Sequence, residues 1–199
     1  KDIPCPINVY GASKLAGEIL VRQAAPRYLI VRMASLFGKN GARGKGGNFV
    51  ETVIAKAKAG QPLRVVNDVR MSPTYTYDAA RALVHIVRAD ATGMLHLTNE
   101  GSCTWYEFPL AIITETGLSA AIEPVDSTSY RTKAPRPRNS SLASERLDRI
   151  AVAPLRSWRT ALRAYLLEKG HISNSLHDQQ PGASDNEIAP NHVRAIRGA

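Results

Sequence analysis

Tyr10 and Lys14 stand four residues apart in the stretch "NVYGASKLAGE" (Asn8–Glu18). On a helix that spacing is one turn, so the phenol and the ammonium project from the same side. A free tyrosine titrates near pH ~10, too high for efficient proton exchange at neutral pH. A neighbouring ammonium stabilises a phenolate, and one pKa unit corresponds to about 1.4 kcal/mol of that differential interaction. Such a pair can give a proton to a carbonyl oxygen while hydride arrives at its carbon, and can act as base in the reverse direction. Taken alone, Y-x-x-x-K is weak, because chance places it on many helices. A solvent-facing pair without a role has the same spacing.

The elements that must hold the pair are legible from periodicity. A helix is expected over about Asn8 to Ala25, with Ala12, Leu15, Ala16, Ile19 and Leu20 as its packing stripe. Tyr10 and Lys14 fall roughly opposite that stripe, toward a cleft or water. "YLIVRMA" (Tyr28–Ala34) reads as a buried parallel strand. A glycine-rich loop, Gly38 to Gly47, leads to a helix from Phe49 to Ala59, stopped by Gly60 and Pro62. "LRVV" (Leu63–Val66), "MLHLTN" (Met94–Asn99) and "AIEPV" (Ala121–Val125) read as strands. Thr76 is expected to cap a helix reaching Arg88, with Asp78 in its first turn. Thr104 and Glu107 form a capping box for a helix ending near Gly117. A proline- and arginine-rich loop and two terminal helices follow, with Leu155, Trp158, Leu162 and Tyr165 along one side of the last. Strands alternating with helices place the body in the α/β class.

Composition narrows the role. A chain of 199 residues can bury one core and at most a small second lobe. The net charge is +9, and nine basic residues fall between Arg131 and Arg163 against only Glu145 and Asp148. That patch can attract an anion such as a nucleotide diphosphate. Without interleaved aromatics or a recognition motif it predicts no nucleic-acid partner. Arg156, Arg159 and Arg163 read as the wet face of the last helix. No apolar run is long enough for a bilayer, so no membrane role is expected. Cys5 and Cys103 lack metal-ligand spacing and read as free thiols. With no leader read at the start, the expected address is cytoplasmic. "GKNGARGKGG" fails as a P-loop, because Gly46 follows Lys45 where Ser or Thr is required. It reads instead as a loop over the substrate site. Residues 169–199 read as a disordered tail, and His171, His177 and His192 match no ligand pattern, so no metal is expected.

Longer blocks carry a more specific signal. "NVYGASKLAGE" followed by "YLIVRMASLFG" resembles the active-site helix and next strand of extended short-chain dehydrogenase/reductases. "GGNFVETVIAKAKAGQPLRVVNDVRMSPTYTYDAARAL", "LHLTNEGSCTWYEF" and "RPRNSSLASERL" are similar to the dTDP-4-dehydrorhamnose reductase family, in that family's order. The resemblance covers residues 4 to about 168 and implies the C-terminal portion of a Rossmann-type parallel sheet with a small α+β substrate-binding lobe. It implies reduction of the 4-keto group of a dTDP-6-deoxyhexulose to give dTDP-L-rhamnose, with NADPH or NADH as hydride source. On that resemblance Tyr10 is the proton donor and Lys14 holds the nicotinamide ribose, while Met33, Ala34 and Ser35 lie beside the nicotinamide. Ligands of open α/β sheets gather at the carboxyl ends of strands, which agrees. Asn48, Thr74 and Arg136 are the candidate substrate contacts, Arg136 through diphosphate oxygens or else as a structural arginine in its loop. Arg138 is expected to be solvated.

The sequence departs from the family in three ways. Ser35 stands where many members have Trp in an R-T-S-W pattern, and Met71 where many have Gly; both places lie near the sugar in the family. The family's G-x-x-G-x-x-G turn and its carbonyl-polarising Ser or Thr are expected upstream of Tyr10, where only nine residues stand. The chain is therefore expected to be one part of a longer reductase, residues 1–168 being a partial domain with negligible turnover alone. Two further readings use the same scaffold: a non-catalytic subunit like the regulatory subunit of methionine adenosyltransferase, and a sugar-nucleotide epimerase. The partner expected is a dTDP-sugar, and a homodimer is left open.

Overall fold

Short polar side chains start the helices. A computed structural model describes residues 3–41, 47–129 and 132–173. In chain order the elements begin with α1 (Val9–Ala24), β1 (Leu29–Arg32), β2 (Leu36–Phe37), α2 (Phe49–Lys58), β3 (Leu63–Val66), β4 (Arg70–Met71), β5 (Thr74–Tyr75) and α3 (Thr76–Arg88). Then come β6 (Gly93–His96), β7 (Cys103–Thr104), α4 (Glu107–Thr116), β8 (Ile122–Val125), β9 (Asn139–Ser140) and α5 (Trp158–Glu168). Asn8 caps α1 by accepting from the Gly11 amide at 2.8 Å, and Asn48 caps α2 from Glu51 at 3.2 Å. The expected capping box forms reciprocally, Thr104 N–H to Glu107 and Glu107 N–H to Thr104. Gly117 closes α4 in the left-handed conformation, φ 65°, that glycine adopts without strain. Thr76 differs from expectation. It is the first helical residue of α3, after Tyr75, and no side-chain bond caps that helix.

The strands are mostly parallel, as an α/β chain requires. β1 pairs with β6, with Leu29 opposite Gly93 and Arg32 opposite His96. β2 pairs with β5 and β3 with β8, also in parallel. β4 lies between β7, antiparallel, and β9, parallel. Five strands have only two residues each, which carry no readable period; long-range contacts define them.

Two apolar clusters fill the interior. One joins Val50, Val53, Phe108, Ile112, Leu162 and Tyr165 from α2, α4 and α5. The other joins Ala79, Ile86, Leu95, Leu97, Leu147 and Leu155 between α3, β6 and the segment before α5. Each fully buried aliphatic side chain contributes about 1.5–3 kcal/mol relative to exposure. Leu155 therefore belongs to a different cluster from Trp158, Leu162 and Tyr165 rather than to their helix face. The first of the two expected terminal helices is a single 3-10 turn, Asp148–Ile150. The packed structure runs beyond residue 168: Lys169 closes α5, Ile172 packs on the first cluster, and His171 bonds Glu51 at 3.1 Å. Most of the expected tail, 174–199 with His177 and His192, lies outside the described residues, as do 42–46 of the glycine-rich loop. Among the described residues no helix is long and apolar enough to cross a membrane.

Candidate active site

Tyr10 sits in the first turn of α1 with its side chain in the open, 72% exposed. Lys14 is exposed one turn on, and its Nζ lies 5.4 Å from the centroid of the Tyr10 ring. A cation at that distance over an aromatic face is attracted by the ring quadrupole. The side chains point together, and the protein's own core covers neither.

The packing face of α1 differs from the expected stripe. Ala12, Ala16, Ile19 and Leu20 are exposed, and no residue of the helix is fully buried. Contact runs along Gly11, Leu15 and Glu18 instead. At about 100° per residue, Tyr10 and Lys14 lie about 70–110° round the axis from the contact face. They occupy a shoulder of the helix rather than its far side.

That contact face carries an ion pair which the sequence reading passed over. Arg32, the last residue of β1, donates from Nε to Glu18 Oε1 and from a terminal nitrogen to Oε2, both at 2.7 Å. Both side chains are mostly shielded, 26% and 14% exposed. The hydrogen bonds from Arg32 hold the Glu18 carboxyl below its ordinary range against the opposing effect of burial; the charges of Arg32, Arg22 and His96 act the same way. Beyond Arg32 the chain runs through Met33, Ala34 and Ser35, all half-buried. Ser35 adopts φ 44°, an uncommon conformation for a residue other than glycine, and its carbonyl accepts from the Thr74 amide at 3.1 Å.

The remaining site candidates divide. Asn8 donates to the Pro135 carbonyl at 2.8 Å, which ties the proline- and arginine-rich loop to the amino end of α1. Arg136, the next residue, is exposed and has no hydrogen bond or ion pair among the described residues. The structure gives Thr74 and Asn48 other work. Thr74 is fully buried and its hydroxyl bonds the Ser72 carbonyl at 3.3 Å, so that side chain offers a ligand nothing. Asn48 borders a cavity of about 910 Å3 with Leu36, Phe49, Tyr75, Tyr77 and Glu168. Its amide nitrogen already serves the Gly38 carbonyl at 2.8 Å and the Tyr165 hydroxyl at 2.9 Å, and its oxygen caps α2. Met71 is 1% exposed within the first cluster.

Two polar networks away from this site were also missed. The buried Tyr165 hydroxyl donates to Glu51, which His171 also contacts. Burial and the Glu51 carboxylate raise the Tyr165 phenol well above its ordinary value. Asp78 binds Arg156 through both oxygens, at 2.8 and 2.7 Å, and accepts from the buried Asn99 at 2.8 Å. Arg159 lies 4.5 Å over the Trp158 ring and Arg163 bonds Glu115 at 2.8 Å, so the arginine series near α5 is engaged rather than merely wet. Cys5 is exposed and Cys103 buried; burial first, then Glu107, pushes the Cys103 thiol up to about 12. Among the described residues no cluster of His, Cys, Asp or Glu could hold a metal ion.

A phenol and an ammonium stand side by side on α1, and a half-buried segment follows the carboxyl end of β1. The family model for the RmlD substrate binding domain matches residues 1–170. The spore coat polysaccharide biosynthesis protein SpsK of Bacillus subtilis (strain 168) is 41% identical over 164 residues, 82% of this chain and 56% of that protein. The dTDP-4-dehydrorhamnose reductase of Escherichia coli (strain K12) is 32% identical over 178 residues, 84% of this chain and 58% of that protein. Among solved structures, dTDP-4-dehydrorhamnose reductase from Bacillus anthracis in complex with NADP aligns with a TM-score of 0.78 at 34% identity. That alignment covers 84% of this chain and 58% of that one. The chain thus spans little more than half the length of these relatives.

Proposed function

The chain belongs to the dTDP-4-dehydrorhamnose reductase family through its RmlD substrate binding domain, and from that premise we propose that it serves reduction of the 4-keto group of a dTDP-6-deoxyhexulose. The observation that carries the reading is the exposed Tyr10–Lys14 pair on α1, a helix held to the end of β1 through Glu18 and Arg32. NADPH or NADH, when bound, supplies the hydride. Tyr10 donates its phenolic proton to the C4 oxygen as negative charge develops there. Lys14 stabilises the phenolate left behind and holds the nicotinamide ribose. Met33, Ala34 and Ser35 form the wall beside the nicotinamide, kept in place by the strand they extend. Arg136 meets the sugar-nucleotide diphosphate, a role supported by its open guanidinium and by the Asn8–Pro135 bond that brings its loop to α1. Reduction is preferred to epimerisation because the Escherichia coli relative, 32% identical, is named dTDP-4-dehydrorhamnose reductase.

The test replaces the matching segment of the Escherichia coli reductase with residues 3–170 of this chain. NADPH oxidation is then followed with dTDP-4-dehydrorhamnose, and the product is identified by mass and NMR. The expected result is substrate-dependent turnover to dTDP-L-rhamnose. Tyr10→Phe should lower kcat by about 10²–10⁴-fold with KM little changed. A folded chimera without turnover, or a Tyr10→Phe variant with full kcat, contradicts the proposal.

A further inference from the structure

The Glu18–Arg32 pair joins two segments of the proposed site, α1 and the end of β1. Glu18 lies one turn beyond Lys14, and Lys14 one turn beyond Tyr10, so all three share one flank of α1. Arg32 ends β1 and directly precedes Met33, Ala34 and Ser35. From the paired carboxylate to Lys14 is four helical residues, about 6 Å along the axis. From the guanidinium's own residue to Met33 is one strand step, about 3.3 Å. Apart from this pair, α1 has half-buried contacts at Gly11 and Leu15 and no fully buried residue. Apolar contacts alone do not select a register between a helix and a strand. Two parallel 2.7 Å bonds between planar groups do. Among the described residues Arg32 takes part in no other side-chain bond or ion pair, so its guanidinium serves this one.

We propose that Glu18 and Arg32 are positioning residues, a clamp that sets the distance between the Tyr10–Lys14 pair and the Met33–Ser35 wall. The proposal rests on the catalytic reading of Tyr10 and Lys14 for its purpose, though not for its geometry. A clamp of this kind leaves binding of the sugar nucleotide intact and acts on the approach of the phenol to the reacting oxygen. Charged neighbours face the carboxylate from each element around it: Arg22 on α1, Arg32 on β1 and His96 on β6. Arg22 and Arg32 are cations at neutral pH, so they hold Glu18 ionised and the clamp closed there.

Cys5 provides a probe that needs neither cofactor nor substrate. Its thiol is exposed while Cys103 is buried, so a nitroxide reagent marks Cys5 selectively. The adjoining Pro6 packs on α1, and a Cβ added at Gly11 would meet Pro6 Cβ at 3.1 Å. The labelled residue is thus next to one that lies against α1. In the 199-residue chain, paramagnetic broadening of the Met33, Ala34 and Ser35 amides is compared between wild type, Glu18→Gln, Arg32→Lys and the exchanged pair Glu18→Arg/Arg32→Glu. The expected result is a changed broadening profile at those three amides in both single variants, with helical circular dichroism preserved well below the unfolding midpoint, and recovery in the exchanged pair. A wild-type profile in Glu18→Gln overturns the proposal. Should Glu18→Gln fail to fold, Arg32→Lys decides, since it keeps the charge and loses the paired donors. Titrating dTDP-L-rhamnose into the same samples gives a second readout from the Tyr10 ring signals. Binding should persist in Glu18→Gln while the shift at Tyr10 falls at least twofold. If wild type shows no Tyr10 shift at all, the proposed function fails, and the broadening comparison still decides the clamp.

Discussion

At the scale of single residues, Tyr10 and Lys14 meet on one side of α1, and Arg32 holds Glu18 of the same helix through two 2.7 Å bonds. Tyr10 and Lys14 were legible because helical spacing alone predicts their shared side, and Lys14 Nζ does lie over the Tyr10 ring. Their supports were not legible. Glu18 and Arg32 are fourteen residues apart, on a helix and a strand, and no local pattern announces such a bond. Thr74 and Asn48 looked like ligand contacts because polar residues near loops often are; one is buried and the other is spent on a helix cap and two neighbours. The depressed Glu18 carboxyl has a consequence for pH. Its pKa is lower folded than unfolded, so the unfolded chain binds the proton more readily, and stability falls with pH there. The pair's contribution is complete above about 4.3, the ordinary glutamate value, and is lost as pH falls through the lower folded value. Urea unfolding across a pH series should show wild type more stable than Glu18→Gln by about 1–3 kcal/mol at pH 7. That gap should narrow as pH falls from 5 toward 2, and a constant gap would mean the carboxylate charge is not what matters.

At the scale of elements, periodic segments were readable and two-residue strands were not. The helix bounds and the pairing-length strands β1, β3, β6 and β8 follow from apolar pattern, caps and glycine stops. The stripe expected for α1 differs from its contact face because periodicity reports which residues are apolar, and not which of them another element covers. β4, β5, β7 and β9 exist only through their partners, so nothing local could locate them. α3 shows how elements are joined. Its amino end has no side-chain cap, and Asp78 in its first turn instead binds Arg156 and Asn99. One carboxylate thus fastens α3 to the segment before α5. Asp78→Ala leaves Arg156 without its carboxylate and the buried Asn99 amide with only its bond to the Arg156 carbonyl. Because Asp78 is 11% exposed and Arg156 36%, the expected cost is about 2–4 kcal/mol, below that of a fully enclosed pair. Chemical denaturation measures it, and a loss under 1 kcal/mol would show that solvent replaces the carboxylate.

At the scale of the whole molecule, the chain has two apolar clusters and a set of parallel pairings, with its candidate chemistry at the amino end of α1. Family and fold class were readable because long blocks in fixed order are far more specific than a tyrosine and a lysine. The surface of α1 was not readable in the same way. Val9, Ile19 and Leu20 are 86%, 43% and 63% exposed, although their pattern is that of a packed helix. The cavity bordered by Tyr75 and Tyr77 competes with the α1 shoulder as a place for a ligand to bind. A titration of the chain, carrying 13C-labelled tyrosine, with dTDP-L-rhamnose distinguishes the two. The account predicts saturable shifts of the Tyr10 ring signals that vanish when Arg136→Ala weakens binding. Shifts confined to Tyr75 and Tyr77, with Tyr10 unmoved at saturation, would contradict it.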